Sequence, residues 1–170
     1  MSKFISDSEY QLLYKHCKKY INEYCIWRAK DEEEAQEKQP WQFLVRRGLY
    51  NPDIATAISL MFLKKIHDEL GHMNFQLSGI ETGATPLIQA INIVARHRGL
   101  NVNTFIIRKD VKTHGIGNIT EGMPHENMPV LICDDIAVSG SSLVKAREKL
   151  ISKNIPLLDK TFSVVNGAKN

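Results

Sequence analysis

The residues best equipped for chemistry stand together in PVLICDDIAVSGSSL, residues 129–143. An apolar, strand-like run, Val130-Leu131-Ile132-Cys133, leads into two adjacent carboxylates, Asp134 and Asp135. A loop of small residues, Val138-Ser139-Gly140-Ser141-Ser142, follows and opens an amphipathic segment. A loop that runs from a strand into a helix N-terminus offers unpaired backbone N–H groups and the positive end of the helix dipole, which suits an anion. Small residues let the anion approach the backbone, and Ser139, Ser141 and Ser142 add hydroxyl donors. No lysine stands where a Walker loop requires one, so an NTPase is not indicated. A plain strand–turn–helix junction with a serine cap has the same look. The aspartates tip the balance, because carboxylates accept hydrogen bonds from vicinal hydroxyls. A ribose with its 2- and 3-hydroxyls on the pair and its 5-phosphate on the serine loop satisfies both features. Successive strand residues point to opposite sides. Asp134 and Asp135 are therefore expected at the strand's end, where the turning chain lets both line one cleft.

Two further segments have related chemistry. SGIETGATPL, residues 78–87, is a second strand–loop–helix junction, with Thr82, Gly83, Ala84 and Thr85 offering backbone N–H groups and little bulk. A turn capped by Thr85 reads the same way, but two such loops in one chain point to a ligand with phosphates at two ends. IIRKDVKTHGIGN, residues 106–118, gathers Arg108, Lys109, Lys112 and His114 within seven residues, beside Gly115 and Gly117. That is either a solvated basic loop or a mobile one that closes over a polyphosphate, excludes water and stabilises a leaving pyrophosphate.

The elements that must position these segments follow from periodicity. Residues 7–37 read as mostly helical, with Leu12, Leu13, Cys17, Tyr20, Ile21 and Tyr24 at helical spacing; the acidic run at 31–34 reads as solvated. Asn51 caps a helix that starts with Pro52, places Ile54, Ile58, Met61, Phe62 and Ile66 on one side, and stops at Gly71. A strand over 76–80 precedes a helix opened by Thr85-Pro86, with Leu87, Ile91 and Val94 inward and Gly99 at its end. Strands over 103–108, 130–133 and 161–165 follow, with a polar loop over 110–122 and a helix over 142–152. Strands alternating with helices predict a mainly parallel sheet flanked by helices, and such sheets bind ligands at the carboxyl ends of their strands. All three chemical segments fall there.

The composition agrees with one globular domain. The chain has 170 residues, 43% of them hydrophobic and 24% charged, ordinary values for a soluble fold. A net charge of +3 gives no whole-chain sign of nucleic acid, and no apolar run nears a membrane span or a signal sequence. Three cysteines without a CxxC read as reduced thiols of a cytoplasmic protein rather than disulfides or metal ligands.

Taken together, these residues resemble the type I phosphoribosyltransferases. The run from Leu131 to Ser142 is similar to the family's phosphoribosyl pyrophosphate signature of apolar strand, two acids and small hydroxyl loop. Within the family the resemblance is to orotate phosphoribosyltransferases: Arg108-Lys109-Asp110-Val111-Lys112-Thr113-His114-Gly115 looks like their mobile catalytic loop, and the run from Gly79 to Leu87 like their pyrophosphate loop. Pro40-Trp41-Gln42-Phe43, with Asn51-Pro52 beyond, resembles the hood beside the base. The likeness covers residues 38–165 in the family's order.

The resemblance implies a single phosphoribosyltransferase domain over 1–170, with a helical hood segment over 1–50 and an α/β core over 51–170. It implies transfer of ribose 5-phosphate from phosphoribosyl pyrophosphate to a nucleobase, orotate foremost, giving orotidine 5'-monophosphate and pyrophosphate. Asp134 and Asp135 then hold the ribose hydroxyls. Val138, Ser139, Gly140, Ser141 and Ser142 hold the 5-phosphate, and Thr82 and Gly83 the pyrophosphate. Lys112 and His114 close over the site, and Trp41 and Phe43 flank the base. Arg108 and Lys109 act across a homodimer, and magnesium travels with the pyrophosphate with few or no protein ligands of its own.

Departures from the family gather at the base site. Residues 31–39 are acidic and without glycine where the family has a Lys-Ser-Gly-Arg-like stretch, with Lys38 a candidate for its lysine. Asn166-Gly167 stands where the family has Asp-Arg, and no arginine follows Arg147. Arg46, Arg47 and Lys169 are the cations left to meet an orotate carboxylate. Val138 replaces a threonine. Two alternatives stay open: transfer to another nucleobase, and a non-catalytic sensor of phosphoribosyl pyrophosphate or a nucleotide on the same fold.

Overall fold

The computed structural model describes residues 3–23, 25–27, 41–110 and 119–167, with 25–27 and 41–43 as backbone only. Helix α1 (Asp7–Glu23) is followed by strand β1 (Cys25–Trp27), which pairs antiparallel with β2 (Trp41–Phe43). The helix predicted over 7–37 thus stops at Glu23. The helical spacing of Tyr20 and Ile21 does not extend into Cys25-Ile26-Trp27, a β-branched and aromatic run that finds a distant partner strand, which local periodicity cannot foresee.

After the short helix α2 (Val45–Leu49) comes α3 (Pro52–Leu70), built as its sequence demands. The Asn51 side chain accepts from the N–H groups of Asp53 and Ile54, and Gly71 closes the helix at φ 72° with its N–H on the His67 carbonyl. Strand β3 (Gln76–Ser78), helix α4 (Ala84–His97), strands β4 (Ile106–Ile107) and β5 (Thr120–Glu121), strand β6 (Val130–Ala137), helix α5 (Ser141–Ile151) and strand β7 (Leu157–Asn166) complete the described chain.

β3, β6 and β7 lie side by side in that order, all parallel. Parallel bridges Leu77–Thr104 and Ile80–Ile107 add the β4 segment on the other side of β3. The sheet therefore reads β4–β3–β6–β7. The chain leaves β3 through α4 toward β4, and leaves β6 through α5 toward β7. These two departures run in opposite directions from the β3–β6 pair, so that pair is the switch point where open α/β sheets bind ligands.

Alternate residues of β6 serve two cores. Leu131 and Cys133 pack in the larger one with Ile58, Phe62, Leu87 and Ile91 of α3 and α4. Val130 and Ile132 pack in the smaller one with Phe105, Ile107, and Ala146 and Leu150 of α5. Cys17 joins α1 to the larger core, and an edge-on contact between Phe62 and Phe162, 4.6 Å between ring centres, ties α3 to β7. Cys17 and Cys133 are free and buried, as expected.

The strand boundaries differ from expectation, beginning with β3, which ends at Ser78 rather than residue 80. β4 is short, because only Ile106 and Ile107 pair with β5, the strand that occupies part of the predicted loop at 110–122. β7 starts at Leu157, four residues early. β6 runs on through both aspartates to Ala137, held by its pairing with β7. Asn51→Ala removes the cap that two N–H groups of α3 depend on. It is expected to lower stability by about 1 kcal/mol, read as a fall in the denaturant midpoint with unchanged slope.

Candidate functional site

Asp134 and Asp135 are not at a strand end. They lie inside β6, where Asp134 is opposite Ser163 of β7, and each is only 8% exposed. Two buried, adjacent carboxylates repel each other and lack water, and the protein answers in several ways. The Asp135 N–H donates to Asp134 Oδ1 at 2.9 Å. The Arg46 guanidinium of α2 stands 3.9 Å from Asp135 Oδ2. Burial above all, then the hydrogen bond and charge of Asp135, push the Asp134 carboxyl from an ordinary 3.8 up to about 7.

The loop after β3 meets this pair head-on. A Cβ on Gly83 would lie 2.5 Å from Asp135 Oδ1 and 3.3 Å from Asp134 Oδ1. Glycine is thus required by proximity, not by backbone angle, since Gly83 has φ −62°. Gly79 has a similar duty one turn earlier, where a Cβ would collide with the Cys133 carbonyl and the Ala84 methyl. The carboxylates are therefore brought to one cleft by the approach of the β3 loop, rather than by a turn of β6. Gly83 occupies the N-cap position of α4 and makes no side-chain cap, so Thr85 is not the cap and α4 begins at Ala84. The Glu81–Thr82 peptide is cis, and Thr82 is exposed.

The loop after β6 starts α5 one residue earlier than expected. Gly140 holds φ 70°, and no side chain caps the helix. Ser139 Oγ lies 3.1 Å from Ser141 Oγ and accepts from the Ser141 N–H at 3.3 Å. Ser139, Ser141 and Ser142 are exposed, and Val138 and Gly140 half-buried. The first N–H groups of α5 and these hydroxyls stand at the carboxyl end of β6, beside the aspartates. Two strand-to-helix loops thus flank a carboxylate pair at the switch point, an arrangement suited to a sugar with an anionic group on each side.

The other predicted residues divide. Arg108 and Lys109 follow β4, with the Arg108 guanidinium paired to Glu121 of β5. The backbone of Trp41 and Phe43 lies in β2, directly before the helix that carries Arg46. Lys112 and His114 lie outside the described residues, as do Lys38 and Lys169. Arg47 is exposed on α2. Sequence reasoning missed Glu81 and Lys149, whose side chains hold the backbone at Arg108 and Lys109 (Lys109 N–H to Glu81 Oε1, 2.9 Å; Lys149 Nζ to both carbonyls, 2.6 Å). Nothing local signals either contact, since the partners are 28 to 41 residues apart. A groove of about 350 Å³ between α1, α3 and β7, lined by Tyr10, Tyr14, Met61, Phe62 and Val164, contains neither aspartate and neither loop. Among the described residues no helix is long and apolar enough to cross a membrane.

No family model matches the chain. It is 31% identical over 136 residues to the orotate phosphoribosyltransferase of Methanocaldococcus jannaschii, spanning 78% of this chain and 72% of that one. It is 31% identical over 117 residues to the orotate phosphoribosyltransferase of Leptospira biflexa, spanning 65% of this chain and 63% of the relative, under two thirds of its length. Among solved structures, the Mycobacterium tuberculosis orotate phosphoribosyltransferase in complex with Fe(III) dicitrate superposes with a TM-score of 0.70 at 17% identity, covering 91% of this chain and 84% of that one. The Trypanosoma brucei adenine phosphoribosyl transferase, in complex with AMP, pyrophosphate and ribose-5-phosphate, gives 0.61 at 16% identity over 88% and 67%. At such identities the solved structures share the fold.

The raised Asp134 carboxyl makes stability depend on pH. Between pH 3.8 and about 7 the folded chain retains a proton that the unfolded chain has lost, so Asp134's contribution falls as pH rises through that window and its penalty is complete above it. Asp134→Asn keeps an oxygen for the Asp135 N–H and removes the penalty. Its melting temperature relative to the parent is expected to rise from pH 5 to pH 8; a constant difference contradicts the assignment.

Proposed function

The chain belongs to the type I phosphoribosyltransferase family, and we propose that it transfers ribose 5-phosphate from phosphoribosyl pyrophosphate to a nucleobase, with orotate as that base. The observation that carries the reading is the buried Asp134–Asp135 pair closed against Gly83, between two strand-to-helix loops. The relatives at 31% identity support orotate.

In this reading the ribose 2- and 3-hydroxyls donate to Asp134 and Asp135, and the 5-phosphate takes the N–H groups and hydroxyls of residues 138–142. The pyrophosphate lies along Thr82 and Gly83, where a side chain on residue 83 would collide with the carboxylate pair. The anomeric C–O bond to pyrophosphate breaks, a bond to the ring nitrogen forms, and that nitrogen's proton leaves. Positive charge develops on the ribose near the carboxylates, while negative charge on the departing pyrophosphate is met by Arg108, Lys109 and Lys112, with His114 beside it. Arg108 and Lys109 serve the neighbouring subunit of a homodimer.

Magnesium would arrive with the pyrophosphate, keeping water and phosphate oxygens and taking few or no protein ligands, since Asp134 and Asp135 are given to the ribose hydroxyls. It would supply charge neutralisation on the leaving group. Arg46, already at Asp135, is the cation best placed among the described residues to meet a carboxylate on the base. Asn166-Gly167 at the end of β7, in place of the family's Asp-Arg, favours a second reading, the same transfer to a different base.

The test is pyrophosphate release from phosphoribosyl pyrophosphate and magnesium, with orotate, uracil, hypoxanthine, guanine and adenine supplied separately. Release with orotate alone is expected. Release with another base moves the specificity, and silence with all five, with binding of phosphoribosyl pyrophosphate still detected by calorimetry, turns the reading to a sensor.

A further inference from the structure

The dipeptide Arg108–Lys109 lies where β4 ends, and all four of its backbone polar groups have partners. The Arg108 N–H donates to the Ile119 carbonyl at 2.8 Å, from the approach to β5. The Lys109 N–H donates to Glu81 Oε1 at 2.9 Å. Both carbonyls accept from a single ammonium, Lys149 Nζ, each at 2.6 Å. Three of the four bonds therefore come from two side chains, not from a sheet ladder.

Those two side chains have telling positions. Glu81 directly precedes Thr82 and Gly83, in the loop closed on the carboxylate pair. Lys149 lies in α5, the helix opened by the serine loop. It is half-buried, and its charge is committed to backbone carbonyls rather than to an acid. A charged donor shared by two carbonyls makes short, strong bonds, and a side chain gripping a backbone turn fixes where the neighbouring side chains can point. A surface lysine kept for solubility has no reason to be held in this way.

We propose that Lys149 and Glu81 are positioning residues for the transfer. They fix the course of the chain at Arg108–Lys109, Glu81 from the loop after β3 and Lys149 from the last turn of α5, and so aim these two cations at the pyrophosphate in the neighbouring subunit's site. The inference rests on the proposed function. The Arg108–Glu121 ion pair supports it, since it restrains the guanidinium of the same dipeptide from the β5 side.

A cation displaced by about 1 Å costs on the order of 100-fold in rate, because its value lies in alignment with charge that develops in the transition state. Lys149→Met is expected to lower kcat by about 10- to 100-fold, while the KM for phosphoribosyl pyrophosphate changes by about threefold or less and the variant, though it melts lower for the loss of two charged hydrogen bonds, stays folded at the assay temperature. Lys149→Arg, which can still donate to both carbonyls, recovers most of the loss. Unchanged kcat in Lys149→Met, or a loss that Lys149→Arg does not restore, overturns the inference. Should Lys149→Met not fold, Glu81→Leu against Glu81→Gln decides it. Only the glutamine retains an acceptor for the Lys109 N–H, so activity equal in the two refutes the role. A parent chain silent with every base rejects the proposed function and this inference with it; an active parent beside an indifferent Lys149→Met rejects the inference alone.

Discussion

Two adjacent carboxylates buried inside a parallel strand are the constraint on which this structure turns. An ionised side chain in the sheet loses its water, and a second one beside it adds repulsion, so the pair is tolerated only with partners or protons. Asp134 takes a hydrogen bond from the next residue's N–H and titrates near neutrality; Asp135 has the Arg46 guanidinium at 3.9 Å. Arg46 stands at Oδ2 of Asp135, which leaves the Oδ1 that faces Gly83 without that ion pair. Stability is given up there in favour of acceptors that stand ready for hydroxyl donors.

The rest of the fold accommodates that pair. Gly79 and Gly83 are glycines because the β3 loop must close on β6, with the Cys133 carbonyl and then the carboxylates in the way of any Cβ. The opposite departures of the chain from β3 and β6 open a crevice at their carboxyl ends, and each departure brings a helix N-terminus to it. Below the crevice, Leu131 and Cys133 anchor β6 in one core, and Val130 and Ile132 in the other. The acids are thus mounted on a strand fixed from both faces, which suits groups whose use depends on position.

Much of this was legible in the sequence, because its signals are local. Asn51-Pro52 and Gly71 delimited α3, and the alternation of strands and helices identified the sheet. The acids, the small-residue loops and the basic run were found because their chemistry is written in consecutive residues. What escaped was non-local. The β1–β2 pairing, the course of β6 through both aspartates, and the grip of Lys149 and Glu81 on Arg108–Lys109 depend on partners far away in the chain. The expectation that a turn brings the aspartates together failed for the same reason: pairing with β7 carries the strand past them, and Gly83 comes to them instead.

The most direct test of the carboxylate pair as a ribose grip is a calorimetric titration with phosphoribosyl pyrophosphate and magnesium, comparing the parent chain with Asp134→Asn/Asp135→Asn. The asparagines preserve size and hydrogen-bonding shape while removing the charged acceptors. Binding by the parent is expected, with a loss of about 100-fold or more in the variant, since hydrogen bonds to charged groups contribute roughly 1.5–3 kcal/mol each. Equal affinity in a folded variant would contradict the ribose grip.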